Sequence, residues 1–234
     1  MAKKKVAHAE LAVEPIDANF SLKDKIYISL KDAITSMNSY ADDAELRLDE
    51  RRLSEKLEIS RTPVREALAR LEQEGLVHIV PRRGVYIVRK TKAEILEMVT
   101  VWAALESMAA RLIIADATDE DISSLRKMFS TFDDGQVQAH IDEYSESNIE
   151  FHQAILKMSR CKLLTDIADN LFIHMRSIRA RTISEDDRAK RSIIDHMHII
   201  EALEDRDEDL AARRVREHSM KLAAHIEKHV DYLE

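Results

Sequence analysis

The chain has 234 residues, 45% of them hydrophobic and 34% charged, with only three glycines and three prolines; this balance predicts two modest, mainly helical domains with short connections. A single cysteine, Cys161, excludes an intrachain disulfide, no stretch approaches the ~20 consecutive apolar residues of a membrane helix, and Met1–Lys5 lacks the apolar run of a signal peptide, so a soluble cytoplasmic protein with no membrane partner is expected. The net charge of −8 is uneven: residues 1–92 hold 18 Lys and Arg against 15 Asp and Glu, and residues 93–234 hold 18 against 29, which confines any polyanion-binding surface to the N-terminal end.

Residues 1–19 are charged and interrupted by Pro15, and predict a flexible arm with a basic tip at Lys3, Lys4 and Lys5. From Ser21, which forms a capping pattern with Asp24, the positions Leu22, Ile26, Ile28, Leu30, Ile34 and Met37 recur at helical spacing. A second, short helix starts near Asp49 with Leu53 and Leu57, and a third starts at Ser60 with Val64, Leu68 and Leu71 on one face, ending at Gly75. Two β-rich runs, 76–80 and 85–88, flank Pro81-Arg82-Arg83-Gly84 and predict a hairpin. Helix, helix, helix and hairpin is the order of a winged helix-turn-helix, here residues 20–92. The remainder, residues 93–234, reads as an all-helical bundle with helices at 93–116, 118–132, 136–159, 161–182, 185–205 and 207–231, N-capped among others by Thr118, Ser184 and Asp207. The fold class expected is therefore mainly α.

The second helix of a helix-turn-helix lies in the DNA major groove, so its first turns must be small, polar and basic. Ser60 as N-cap, Arg61 forking onto a guanine edge, Thr62 on a phosphate or thymine methyl, Pro63 in the first turn and Arg65 one turn on meet that need. Arg82, Arg83 and Gly84 at the hairpin tip suit contact with an adjacent groove, and Arg51 and Arg52 suit phosphates. Any one of these arginines is equally a solvated surface charge; clustered on one small module they point to double-stranded DNA.

The stretch from Leu48 to Leu68, with its Ser60-Arg61-Thr62-Pro63-Val64-Arg65-Glu66-Ala67-Leu68 core, continues through Leu71-Glu72-Gln73-Glu74-Gly75-Leu76-Val77 to Pro81-Arg82-Arg83-Gly84-Val85. It resembles the DNA-binding signature of GntR-family repressors. The resemblance implies operator contacts at Arg51, Arg61, Thr62, Arg65 and Gly84. One departure lies upstream, where Ala41-Asp42-Asp43-Ala44-Glu45 replaces the Pro-Gly turn frequent in that family.

The helical remainder resembles the family's FadR-type C-terminal domain, called FCD, in Ala104-Leu105-Glu106, Ala109-Ala110-Arg111-Leu112, Asn148-Ile149-Glu150-Phe151-His152, Asp195-His196 and His218. Many such domains hold a divalent metal between one carboxylate and three histidines; here the resemblance implies Asn148, His152, His196 and His218, with Zn or Ni as the ion. Asn148 departs from the usual Asp and brings an amide oxygen without charge. Asn148 and His152 are i and i+4 on one helix face, and three imidazoles suit ions of this softness, although a lone histidine is more often an ordinary polar residue. His174, His198, His225 and His229 are read as surface residues or as neighbours of the ligands.

Trp102 stands where many relatives carry an arginine that holds an effector carboxylate, so it is read as core packing or as the wall of a more apolar pocket; Arg176, Arg179 and Arg181 are candidate replacement cations for an acidic effector. The expected protein is a homodimeric regulator, metabolite-responsive and more often a repressor, that reads a pseudo-palindromic operator under control of a small organic acid. The alternative is a metal-dependent enzyme fused to a DNA-binding arm. Against it stand the absence of His-Glu-x-x-His, of a Gly-rich phosphate loop and of a Ser or Cys nucleophile setting.

Overall fold

A computed structural model of the chain describes residues 22–37, 39–41, 44–130, 132, 141–185 and 187–233. The predicted arm at 1–19, the Ser21 cap and the expected start of a helix at 136–140 lie outside the described residues.

Helix α1 (Leu22–Ser36) turns Ile26, Tyr27, Leu30 and Ile34 inward. Leu22 and Ile28, expected on that stripe, are exposed; the buried face follows i, i+4 and i+8, which selects Ile26, Leu30 and Ile34 and adds the neighbouring Tyr27. After strand β1 (Arg47–Leu48), helix α2 (Glu50–Lys56) is capped by Asp49, whose carboxylate accepts from the backbone N–H groups of Arg51 and Arg52. Helix α3 (Arg61–Gln73) buries Val64, Ala67, Leu68 and Leu71. Strands β2 (Val77–Val80) and β3 (Gly84–Ile87) form the predicted hairpin, and β1 adds to the outer edge of β3 in an antiparallel sheet of order β1-β3-β2. Two residues carry no alternation, so β1 had no periodic signal to betray it. The α3 side chains close with Leu76, Val77, Val85 and Ile87 into one core.

The wing tip shows why glycine stands at 84. Gly84 has φ +124, and a Cβ there would sit 3.3 Å from Arg47 Nε. An L side chain would be strained by the backbone and crowded by Arg47.

The second unit contains α4 (Lys92–Asp116), α5 (Asp119–Lys127), α6 (Ile141–Met158), α7 (Lys162–Ile183), α8 (Arg188–Glu204) and α9 (Glu208–His229). Helix α4 is long and apolar enough by composition to cross a bilayer, but it is the central helix of the bundle. It buries Ile95, Val99, Trp102, Ala103, Ala109, Ala110 and Ile113, and alanines on α9 (Ala211, Ala223) are buried in the same core. Small side chains of this kind let two helices approach closely. Thr91 and Thr118 each form a capping box, with Glu94 and Asp121 respectively, and Asp207 caps α9. Ser184 does not cap α8 as expected: it ends α7, its hydroxyl donating back to Arg181 O at 2.8 Å, and α8 starts after Asp187. Replacing Thr91 by Ala is expected to lower stability by about 1 kcal/mol in urea denaturation, the usual worth of an N-cap.

The two units are joined by more than the chain. Tyr40 OH accepts from the backbone N–H of Lys90 at 2.9 Å, and its ring lies 6.3 Å from that of Tyr232. Arg181 stacks on Tyr232 at 3.6 Å. Ile173 of α7 packs on the winged unit's core.

Candidate DNA-reading surface and buried histidine centre

Ser60 stands at the N-cap of α3 with extended backbone, as predicted, but its side chain makes no capping bond. Pro63 falls in the first turn, where its missing N–H costs nothing. With Val64, Ala67, Leu68 and Leu71 turned inward, Arg61, Thr62 and Arg65 are left on the exposed face. Arg65 is not free: its Nε donates to Glu50 Oε2 at 2.6 Å and ties α3 to α2. Arg51 bonds Glu55 at 2.8 Å, and Arg52 lies 3.7 Å from Glu45. Arg61, Arg82 and Arg83 make no ion pair among the described residues and are exposed. These exposed pairs are individually weak and screened by salt, so they leave Arg51, Arg52 and Arg65 open to exchange with an external anion.

At the other end three helices converge their imidazoles. His152 of α6, His196 of α8 and His218 of α9 each offer a ring nitrogen within 4.8 Å of the others. His196 Nε2 lies 3.1 Å from His218 Nε2, which lies 3.3 Å from His152 Nε2. An ion bound at about 2.0–2.1 Å with tetrahedral angles sets its ligand nitrogens roughly 3.3 Å apart, so the spacing fits one divalent metal. The other ring nitrogens are held from behind: His152 Nδ1 is 2.6 Å from Glu106 Oε1, His218 Nδ1 is 3.2 Å from Asp195 Oδ2, and His196 Nδ1 is 3.4 Å from Tyr144 OH. Such outer partners orient ligating histidines and raise their basicity. Ser219 Oγ donates to the second Glu106 oxygen at 2.5 Å.

Burial drives the pKa values of His152 and His196 well below the ordinary histidine range, reinforced by the positive charge of Arg179 and by the neighbouring His218. His218 is lowered by burial as well, although Asp195 opposes the shift. All three rings are thereby neutral at pH 7, the form that ligates metal. Asn148 lies one turn before His152, buried, with its Oδ1 accepting from Ser192 Oγ at 3.4 Å.

Arg179 is buried beside this centre, and its Nε and Nη2 have no partner among the described residues. It lies 5.3 Å from the Trp102 ring. Arg188 Nη1 is likewise buried and unpartnered, and burial, with repulsion from Arg179, brings this guanidinium down to about 10. Both arginines line one small cavity with Asn148, Ser192 and His218. Glu106 and Glu185 offset part of these charges, but buried nitrogens left without a hydrogen bond are costly, so the pair favours an anion between them. Arg176 does not join them; it faces Glu146 at 3.5 Å near the surface, while Arg181 serves the Tyr232 junction. Trp102 is fully buried, 5.4 Å from Phe172 and edge-on to His152, which makes it core. His225 is also buried, 2.5 Å from Glu185. Arg188, Glu106, Asp195 and Tyr144 were not picked out as site residues, because their roles depend on packing between helices distant in sequence.

A winged helix with an exposed basic face on α3 and the wing, joined to a bundle enclosing a histidine centre and two inward-facing arginines, is the architecture of a ligand-controlled DNA-binding regulator. The models of bacterial regulatory proteins of the gntR family and of the FCD domain match residues 22–87 and 97–220. The chain is 32% identical to the Nta operon transcriptional regulator of Aminobacter aminovorans, over 80% of this chain and 84% of that one. It is 26% identical to the HTH-type transcriptional repressor RspR of Escherichia coli K12, over 75% and 77% of the two chains. The solved structure of E. coli McbR/YncC superposes with a TM-score of 0.71 at 21% identity, covering 88% of this chain and 99% of that one. The protein belongs to the GntR family of transcriptional regulators and carries an FCD effector-binding domain. Its relatives are regulators and not enzymes, which sets aside the reading as a metal-dependent enzyme.

Proposed function

We propose that this protein is a metabolite-responsive repressor, active in the cytoplasm as a homodimer, whose operator affinity is set by an organic anion bound beside a metal in the bundle. Arg61, Thr62 and Arg65 of α3 read base edges from the N-terminus begun at Ser60 and Pro63; Arg82, Arg83 and Gly84 of the wing and Arg51 and Arg52 of α2 hold the backbone. His152, His196 and His218 hold a zinc or nickel ion, with the Asn148 amide oxygen as a neutral fourth donor. When bound, the ion supplies a Lewis-acidic anchor for a carboxylate. Arg179 and Arg188 neutralise that carboxylate, so the effector cations are these two rather than Arg176, with Trp102 as the floor beneath Arg179.

The observation that carries this reading is the placement of buried Arg179 and Arg188 nitrogens without hydrogen-bond partners among the described residues beside three converging imidazoles. Helix α7 links that site to the DNA-reading unit, since it carries Arg179 at the cavity and Ile173 against the winged core less than two turns away. An effector that draws on Arg179 in one arrangement of α7 more than in another changes operator affinity by linkage.

Dimerisation is supported by an apolar stripe on α4, where Val101 and Met108 are 47% and 48% exposed and Leu105 and Leu112 lie between and beyond them at helical spacing. Val101→Glu with Met108→Glu is expected to convert the dimer to monomer in sedimentation velocity, and an unchanged sedimentation coefficient would remove this face from the interface.

The function itself is tested by selecting duplexes from a random pool with the full-length protein. A two-fold symmetric motif, bound with an affinity that shifts when organic acids are added, is expected. Recovery of no shared motif would refute the reading.

A further inference from the structure

Two cavities meet at the histidine centre. The inner one, which Arg179 and Asn148 line, holds only about 20 Å³, room for a water-sized occupant. The outer one lies between α8 and α9 and holds about 430 Å³, a volume typical of small-molecule sites. Arg188, Ser192 and His218 line both. On the far side the centre is closed by the fully buried Trp102, packed on Phe172 and His152. The body of an effector therefore has its space, among the described residues, toward the α8–α9 groove.

The groove opposes the charge of its own domain. Residues 93–234 hold 18 Lys and Arg against 29 Asp and Glu, yet the groove, where Arg191 is held by an exposed and therefore weak pair with Asp187 at 2.8 Å, is lined by Arg188, Arg191, Lys221 and Lys228 against one carboxylate, Asp195. That carboxylate is already engaged by Lys221 at 2.7 Å and by His218 at 3.2 Å. A cationic cleft in an acidic surface concentrates anions and speeds their capture. Between the cations Ile194 and Ala224 form an apolar strip, and Ile194 is 55% exposed there. On α9, Lys221 stands about one turn and Lys228 about three turns beyond His218.

We infer that the effector is a two-ended organic anion. One acidic group sits beside Arg188 and His218, the carbon chain lies along Ile194 and Ala224, and the second acidic group is held at the outer lip by Arg191 and Lys228. This inference rests on the effector role proposed above and adds a second charge and a direction to it.

The test titrates zinc-loaded, full-length protein calorimetrically with acids paired by length: butyrate and succinate, hexanoate and adipate, nonanoate and azelate. At the length that spans the groove, the diacid is expected to bind at least about tenfold tighter than its monoacid, a difference of about 1.4 kcal/mol. Arg191→Ala combined with Lys228→Ala is expected to bring the diacid down to the monoacid's affinity, with zinc content in the same samples reporting an intact centre. Equal affinities at every length, or an advantage that survives the double substitution, would overturn the two-ended anion. Binding of neither acid class by a protein that still binds its operator would sink the effector reading beneath it.

Discussion

His152→Ala combined with His196→Ala is expected to take the protein from one bound metal ion per chain to none. The two substitutions remove two of three imidazoles and leave His218 beside the neutral Asn148 amide, a donor set without charge. Among the described residues nothing nearby replaces them: Glu106 and Asp195 face the far nitrogens of His152 and His218, and burial pushes the Tyr144 hydroxyl well above the ordinary tyrosine range, which holds it protonated. Elemental analysis of the purified variant checks the outcome, with circular dichroism to verify the helices. A second readout is stability, because an ion that binds only the folded chain adds about 4 kcal/mol when its free concentration exceeds Kd a thousandfold. Chelation should therefore lower the melting temperature of the parent protein and leave that of the variant unmoved. Retention of one ion per chain would remove this ligand set.

Arg61→Ala is expected to weaken operator binding by about 1–3 kcal/mol and to relax base preference at one position of each half-site. Arg61 stands at the first position of α3, is exposed and has no carboxylate partner among the described residues. Its loss removes a contact without freeing an internal one. Arg65→Ala also breaks the 2.6 Å bond to Glu50, so part of its effect is a loosened α2–α3 angle. Anisotropy titrations on the selected duplex and on duplexes altered base by base distinguish the two: Arg61→Ala changes preference, whereas a merely supporting residue lowers affinity evenly across sequences.

The DNA-reading unit was legible in the sequence because its signals are local. The helical period of Val64, Leu68 and Leu71, the turn chemistry of Pro81 to Gly84 and the basic start of α3 all lie within a few residues of the feature they define. The histidines were legible through resemblance, and the packing brings His152, His196 and His218 together as that resemblance implied. What escaped was non-local. Arg188 comes to the same cavity as Arg179 only through the packing of α8 on α7, and Arg176, three residues from Arg179 and on nearly the same helix face, is drawn instead to Glu146 at 3.5 Å. The two-residue strand β1 exists through its pairing with Tyr86 and Val85 and not through any pattern of its own. Ser184 had the composition of an N-cap, but a hydroxyl at a helix end bonds whichever backbone group is nearer, and here that is the carbonyl of Arg181.

The central claim is that α3 lies in the major groove with Arg61 at a base edge. Guanine N7 is exposed only in that groove, so methylation interference on the selected operator tests the claim directly. The expected result is that methylating specific guanines in both half-sites blocks binding by the parent protein, and that Arg61→Ala loses sensitivity at one of them. Binding indifferent to every N7 methyl group would contradict it.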